Sequence, residues 1–292
     1  MMNKKMILLA VVILALASLA CSININLPSM NRKTGPTVTD TIFVPLPEDA
    51  QTSADVELNF GAGTLKLKPG AQDALVDGTA TYNVPDFKPI VTVENDHINI
   101  NQGDFNFEEI PSFKQDIVND WILSLGNHPM SLVIKAGAYK GEVELGGLSI
   151  ERLEISDGAA KVDVVFSKPN QVQMSSLEYT TGASEVSLEG LANANTTDMT
   201  FRGGAGNYKL DFSGELRDDM DVYIESGVSS ITVIIPEGVN ARVLTEGGLM
   251  TVGTDGSWHQ TGDTYQTTGS GNTITLHVKM GAGNLRLETG NP

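Results

Sequence analysis

The sequence predicts an all-β protein: a parallel β-helix, or solenoid, of about 22-residue rungs, with an N-terminal β-rich module that caps it. Three observations predict this class. Short runs of alternating apolar and polar residues are bounded by turn residues, which is typical of strands. The 292-residue chain contains 30 glycines. A glycine also recurs at a nearly fixed spacing, and its positions are Gly137, Gly158, Gly182, Gly204, Gly227, Gly248 and, after a longer gap, Gly281.

Residues 1–20 have the pattern of a secretion signal. Lys4 and Lys5 precede an apolar run, and Ala20 stands directly before Cys21. A cysteine at this place resembles a bacterial lipobox, where the thiol is acylated and becomes the new N-terminus. We therefore expect Cys21 to be lipidated and to hold the protein at a membrane of the cell envelope, on the extracytoplasmic side. An ordinary signal peptide with an incidental cysteine and an uncleaved N-terminal anchor are the alternatives.

The remaining chain divides into three parts. Residues 21–40 are polar and weakly periodic, which predicts a flexible tether. Residues 41–112 contain alternating runs such as VELNF and are predicted to form an N-terminal β module that caps one end of the solenoid. Residues 113–292 contain the repeat and are predicted to form the solenoid itself. Within them, residues 254–272 interrupt the period and are expected to shield the other end, with Trp258 as a plug.

Each repeat consists of a strand, the glycine, a second strand and a short turn. In the second strand after Gly158, Val162 and Val164 alternate with Lys161 and Asp163, so that one face is apolar. Parallel stacking of such strands encloses an interior and pairs each backbone with the rungs above and below. The glycine is expected at a sharp corner with a positive φ, where a Cβ would cost energy.

Composition and motifs argue against several functions. The formal net charge of -17 argues against nucleic-acid binding, which needs basic patches. A phosphate-binding loop is followed by a helix, whereas a strand follows each recurring glycine. None of the four histidines lies at metal-binding spacing from another, and the chain's one cysteine precedes the fold. The sequence therefore predicts no catalytic residue, no metal and no cofactor, and the protein is not expected to be an enzyme.

Two long stretches carry a resemblance to a known family. The segment ELNFGAGTLKLKPGAQDALVDGTATY resembles the N-terminal module of the toast-rack proteins, and the segment from NDWILSLGNHP to SDGAAKVDVVF resembles the part that follows it there. The last repeats are similar to adhesin-like and cell-wall-active-antibiotic-response domains. The resemblance covers about residues 50–290. It implies a β-solenoid-like fold on a bacterial envelope protein, and it supplies no catalytic residues.

These observations predict a non-enzymatic, lipid-anchored cell-envelope protein that presents its solenoid for adhesion or scaffolding. One alternative is an envelope-stress sensor that binds a membrane protein partner. Another is an envelope carbohydrate-binding module, in which Trp258 and Tyr265 contact a polysaccharide through their rings. The expected partners are therefore the membrane, reached through the lipid on Cys21, and an envelope protein or polysaccharide.

Overall fold

The computed structural model describes residues 34–49, 52–103 and 117–290 of the chain. Within these ranges, the secondary structure is almost entirely β, with two short 3₁₀ turns at Pro85–Phe87 and Leu191–Ala194. The strands of the described residues are β1 Val38–Pro45, β2 Ala54–Ala71, β3 Ala74–Tyr82, β4 Pro89–Glu94, β5 His97–Gln102, β6 Asn119–Gly126, β7 Met130–Glu144, β8 Ile150–Val165, β9 Leu177–Glu189, β10 Asp198–Asp211, β11 Met220–Ile235, β12 Asn240–Asp255, β13 His259–Thr261, β14 Thr264–Gln266 and β15 Thr273–Thr289. The predicted all-β, solenoid-like fold is confirmed.

Eight long strands form the body of the molecule. They lie side by side, all parallel, in the order β2-β7-β8-β9-β10-β11-β15-β12. Seven spacings of about 4.8 Å give this column a length of about 34 Å. Each backbone is thereby paired on both sides along the column, except at its two ends.

Each long strand bends at its central glycine. In β11, Val222 and Ile224 are buried before Gly227, and Ile231 and Val233 are buried after it. The buried positions lie an odd number of residues before the glycine and an even number of residues after it. In a regular strand every second residue faces the same side, so the buried positions would be all odd or all even. The chain therefore turns a corner at the glycine, and both halves direct their apolar side chains into one interior.

The glycines lie on top of one another in a column of their own. A Cβ added to Gly227 would lie 2.6 Å from the carbonyl oxygen of Gly204, and one added to Gly281 would lie 2.7 Å from that of Gly227. Gly61 and Gly137 align in the same way in the register of β2 and β7. The corner glycines are therefore required by the close approach of the next rung.

The expectation of a positive φ at these corner glycines is wrong. A positive φ occurs two residues later in three of the rungs, at Gly63 (137°), Gly206 (157°) and Gly283 (133°). In these three rungs, the first glycine admits the neighbouring backbone and the second adopts a conformation that other residues avoid.

Both ends of the column depart from simple repetition. At the N-terminal end, the first half of β2 pairs with β5, which pairs with β4. The second half of β2 pairs with β6, followed by β3 and β1 in antiparallel order. The column thus begins with β2, and two small sheets cover its first edge. The division of the chain at residues 112 and 113 stays a prediction.

At the C-terminal end, the last strand of the sequence is not the last strand of the column. β15 inserts between β11 and β12, and the β13–β14 hairpin pairs with the first half of β12. The inward side chains of β15 are almost all fully buried, whereas the inward Met250 and Val252 of β12 are only half-buried. The strand with the more complete apolar face therefore takes the interior place, and β12 takes the edge.

One continuous apolar core runs through the column. Trp121 is fully buried beside Phe60, with the ring centroids 5.3 Å apart in an edge-to-face arrangement. Phe201 packs in the same interior between Tyr179 and Tyr208. Within the described ranges, no helix has the length and apolarity needed to span a bilayer.

Candidate functional site

The predicted site residues lie in two separate places. Cys21 falls outside the described residues, and its lipidation stays a prediction. At the C-terminal end of the column, Trp258 directly precedes β13 and Tyr265 lies in β14. The hairpin belongs to the segment that interrupts the repeat period.

Tyr265 faces the interior. Its ring is 7% exposed, it pairs with Val243 across β12 and β14, and its hydroxyl lies 3.1 Å from Nε2 of Gln260. Trp258 is half-buried and packs against the core, and its indole Nε1 is buried with no hydrogen-bond partner among the described residues. The two rings thus pack against the C-terminal end of the core, and their contact with a polysaccharide stays a prediction.

The outer faces of the column carry charges of both signs in register. Lys66 Nζ lies 2.8 Å from Glu142 Oε2 on the neighbouring strand, and Lys161 pairs with Glu185 in the same way. Such exposed pairs contribute little stability, but they keep a long flat face from pairing with other sheets.

Two aromatic side chains stand together on the outer face near the C-terminal end. Tyr223 and His277 are register neighbours whose rings stack with centroids 4.8 Å apart and planes 9° apart. Tyr223 is 48% exposed. Beside them runs an open groove of about 730 Å³ along the glycine column, and its charged lining residues are Arg202, Glu225, Lys279 and Glu246. This face can offer hydrogen bonds and ionic contacts to an extended partner.

A polar cluster lies inside the column, and the sequence reasoning missed it. Asp157 is 7% exposed and occupies the inward position directly before Gly158. Its Oδ2 accepts a hydrogen bond of 2.6 Å from the Tyr179 hydroxyl, and its Oδ1 accepts one from Thr181. Ser184 completes the set, with its Oγ 3.3 Å from Oδ1. The signal in the sequence was an aspartate in a place where other rungs carry apolar or small residues.

Burial governs the ionisation of this cluster. It raises the pKa of Asp157 above its ordinary value, although the hydroxyl hydrogen bonds act in the opposite direction. The pKa values of Tyr139 and Tyr208 are also raised, first by burial and then by the charge of Asp157. Among the described residues, the hydroxyl of Tyr208 has no hydrogen-bond partner, whereas that of Tyr139 interacts with the hydroxyl of Tyr179. The four side chains of the cluster are all buried between the rungs.

Among the described residues, no group of three or more His, Cys, Asp or Glu side chains is arranged to hold a metal ion. The described part of the chain is a β-solenoid with an apolar core and polar outer faces.

The chain belongs to the toast-rack family. Residues 32–175 and 169–234 match the N-terminal domain of toast_rack, DUF2154, which covers more than half of the chain. The family expected from the sequence resemblance is therefore confirmed. A search of curated proteins found no match.

Three solved structures are similar to this chain, and the first of them has the same type of fold. A proposed cell adhesion protein of Clostridium sporogenes is 17% identical, matches 87% of this chain and 100% of its own, and has a TM-score of 0.50. A proposed adhesin of Bacteroides fragilis is 12% identical over 86% of this chain and 97% of its own, with a TM-score of 0.37. A proposed lipid-binding protein of Parabacteroides distasonis is 9% identical over the same shares, 86% and 97%, with a TM-score of 0.39.

Proposed function

We propose that this protein is a non-enzymatic component of the bacterial cell envelope, anchored by a lipid on Cys21, and that its column serves adhesion or scaffolding outside the cytoplasm. The observation that carries the proposal is the continuous stack of eight strands around one apolar core, with charges of both signs on its outer faces. Such a body is rigid and offers long faces for contact. The Clostridium sporogenes protein, proposed to act in cell adhesion, has the same type of fold.

The two ends of the column are arranged in a way that fits a lipid-anchored protein with a contact surface outside the membrane. The described residues begin at the N-terminal cap, where Gly35 N–H donates to Asn83 O at 2.7 Å. The hairpin at Trp258 lies at the opposite end of the column. A tether that joins the cap to a lipid at Cys21 places the far end of the column away from the membrane. An acyl chain contributes about 0.8 kcal/mol for each methylene group buried in the bilayer, so two or three chains give firm retention.

The test compares the unchanged chain with Cys21→Ala in cells that are fed a labelled fatty acid. We expect the unchanged protein to take up label, to sediment with membranes and to increase attachment of the cells to one another or to a surface. Cys21→Ala should lose label, membrane retention and attachment together, because all three depend on the anchor. Ser22→Ala, one residue away, is the matched control and should keep all three.

Each part of the proposal has its own contrary result. An unlabelled protein, or a Cys21→Ala variant that stays in the membrane fraction, contradicts the lipid anchor. A labelled and retained protein whose removal leaves attachment unchanged contradicts the adhesive role.

A further inference from the structure

The most unusual surface of the molecule is the second half of β12, residues 249–255, with the sequence LMTVGTD. On one side it pairs with β15. On the other side, β14 pairs with Arg242, Val243 and Leu244 only, and a last backbone bond joins Thr245 N–H to Asp263 O at 3.0 Å. Beyond Thr245, the outer edge of β12 has no strand beside it in the part of the chain that the structure describes.

The other outermost strands of the described sheet carry features that oppose pairing. β1 contains Asp40 and ends at Pro45, β4 begins at Pro89 and ends at Glu94, and β13 is three residues long. Proline, charge and shortness are the usual means by which proteins block a sheet edge. The second half of β12 has none of these means over residues 249–254.

This edge carries little charge in a strongly acidic chain. Its one ionic residue, Asp255, lies 3.4 Å from the guanidinium of Arg286 on the adjacent strand, which also contacts Glu288. The net charge of -17 repels other copies of the chain at long range. Residues 249–254 carry no ionic side chain, so they add nothing to that repulsion.

The core is incomplete at the same place. Met250 and Val252 point inward and pack against the core, yet both remain only half-buried. Leu249 is 72% exposed. A strand added to this edge would bury all three side chains and satisfy the free backbone groups.

We propose that this edge binds the same edge of a second copy of this chain, in antiparallel orientation, and that the protein thereby forms a two-fold symmetric dimer. When two copies of the segment pair in antiparallel orientation about Val252, each residue lies opposite the residue that is equally far on the other side of Val252. Thr251 then faces Gly253 of the second copy, Leu249 faces Asp255, and no like charges are opposed. Seven residues give about 24 Å of paired edge and an isologous contact.

The dimer has a geometric consequence for the envelope role. Both N-terminal caps face away from the seam, so two columns of about 34 Å join end to end with a tether at each outer end. The edge lies outside the residues that match the toast-rack domain, since that match ends at residue 234. Dimerisation is therefore a property of the C-terminal part of this chain.

The test is the mass of the full chain in detergent solution, measured by light scattering over a range of concentrations. We expect a dimer for the unchanged chain. The double variant Thr251→Lys/Gly253→Lys sets lysine against lysine at the seam, and it should raise the dissociation constant at least about tenfold. Both positions point outward, and a Cβ at Gly253 meets no atom within 4 Å, so the fold should tolerate the change.

The matched control is Ser230→Lys/Thr232→Lys, on the same two rows of β11, two strands from the edge. It should remain a dimer. Val252→Cys provides a second measurement, because the two-fold axis brings this residue against itself and a disulfide should form between copies. Ser230→Cys should not crosslink. A monomeric unchanged chain, a dimer indifferent to the edge lysines, or a Val252→Cys chain that never crosslinks would overturn the proposal.

Discussion

Gly227 shows at the scale of one residue how this column is built. Its Cα packs against the carbonyl oxygen of Gly204, and Gly281 packs against Gly227 in turn. Because each corner receives the backbone of the next, a single methyl group cannot be accommodated without moving a rung. The recurring glycine thus serves the contact between rungs.

We predict that Gly227→Ala lowers the free energy of unfolding by about 2 kcal/mol, because the new methyl group overlaps a fixed carbonyl. Gly253→Ala is the matched control. This glycine also lies in a long strand, but its added Cβ meets no atom within 4 Å, so stability should change by less than about 0.5 kcal/mol. Chemical denaturation measures both values. Equal effects of the two substitutions would contradict the packing role of the corner glycines.

Asp157 is the second informative residue. Burial raises its pKa in the folded state, so folding favours the protonated carboxyl. The contribution of this group to stability is complete below the ordinary pKa of the unfolded chain and is lost as the pH rises through the raised folded value. The ionisable groups that face it are the hydroxyls of Tyr139, Tyr179 and Tyr208, which remain neutral in this range because their own pKa values are raised.

We predict that Asp157→Asn becomes more stable relative to the unchanged protein as the pH rises from the ordinary carboxyl pKa to the raised pKa of Asp157 in the folded state. The slope of the difference is at most about 1.4 kcal/mol per pH unit, because one proton is involved. Unfolding by denaturant at several pH values, from about pH 3 to about pH 8, measures the difference. Asp163→Asn, on an exposed outward position of the same strand, is the control for the loss of one carboxyl group. A difference that is constant with pH would show that Asp157 does not titrate with a raised pKa.

At the scale of the strand, alternation made much of the fold predictable. Val162 and Val164 face inward as their spacing indicated, and Lys161 lies on the outer face beside Glu185. The φ angle at the corner could not be predicted in this way. A glycine can be required because φ is positive or because a neighbouring backbone lies too close for a Cβ, and the sequence does not distinguish these two reasons.

The short third side of the rungs was also beyond sequence reasoning. Asn170 is fully buried there, where it accepts from Ile150 N–H at 2.9 Å and donates to Ile150 O at 2.7 Å. Asn193 holds the next turn by donating to Phe166 O at 2.8 Å. In the sequence, these asparagines look like the asparagines of any surface turn. Only the stacked rungs show that their side chains make hydrogen bonds to backbone groups of the neighbouring turn.

The candidate site was predicted less well than the fold. The end of the column was correctly sought in the segment that breaks the repeat, and the β13–β14 hairpin lies there. The inward direction of Tyr265 depends on its pairing with Val243, which is a contact between strands that are distant in sequence. The buried cluster around Asp157 joins two neighbouring rungs, β8 and β9, so its members come from separate parts of the sequence.

At the scale of the whole molecule, the order of strands decides which surfaces are open. β15 closes the core beside β11, and β12 is left with an unpaired half. Had β12 followed β11 directly, β15 would have become the edge. The proposed dimer depends on this strand order, because the order leaves the second half of β12 at the edge.

The most direct test of the stacked column is therefore to measure which strands of the last rungs are neighbours. Pairs of cysteines are introduced into a chain whose Cys21 is replaced by serine, and disulfide formation shows which pairs lie side by side. Ser230 of β11 is aligned with Asn284 of β15, and Asn284 is aligned in turn with Thr251 of β12. The account predicts that Ser230→Cys/Asn284→Cys forms an internal disulfide, detected by mass spectrometry of unreduced peptides. It predicts none for Ser230→Cys/Thr251→Cys, whose backbones are about two strand spacings apart. An internal bond in the second pair and not in the first would contradict the stacked column described for this protein.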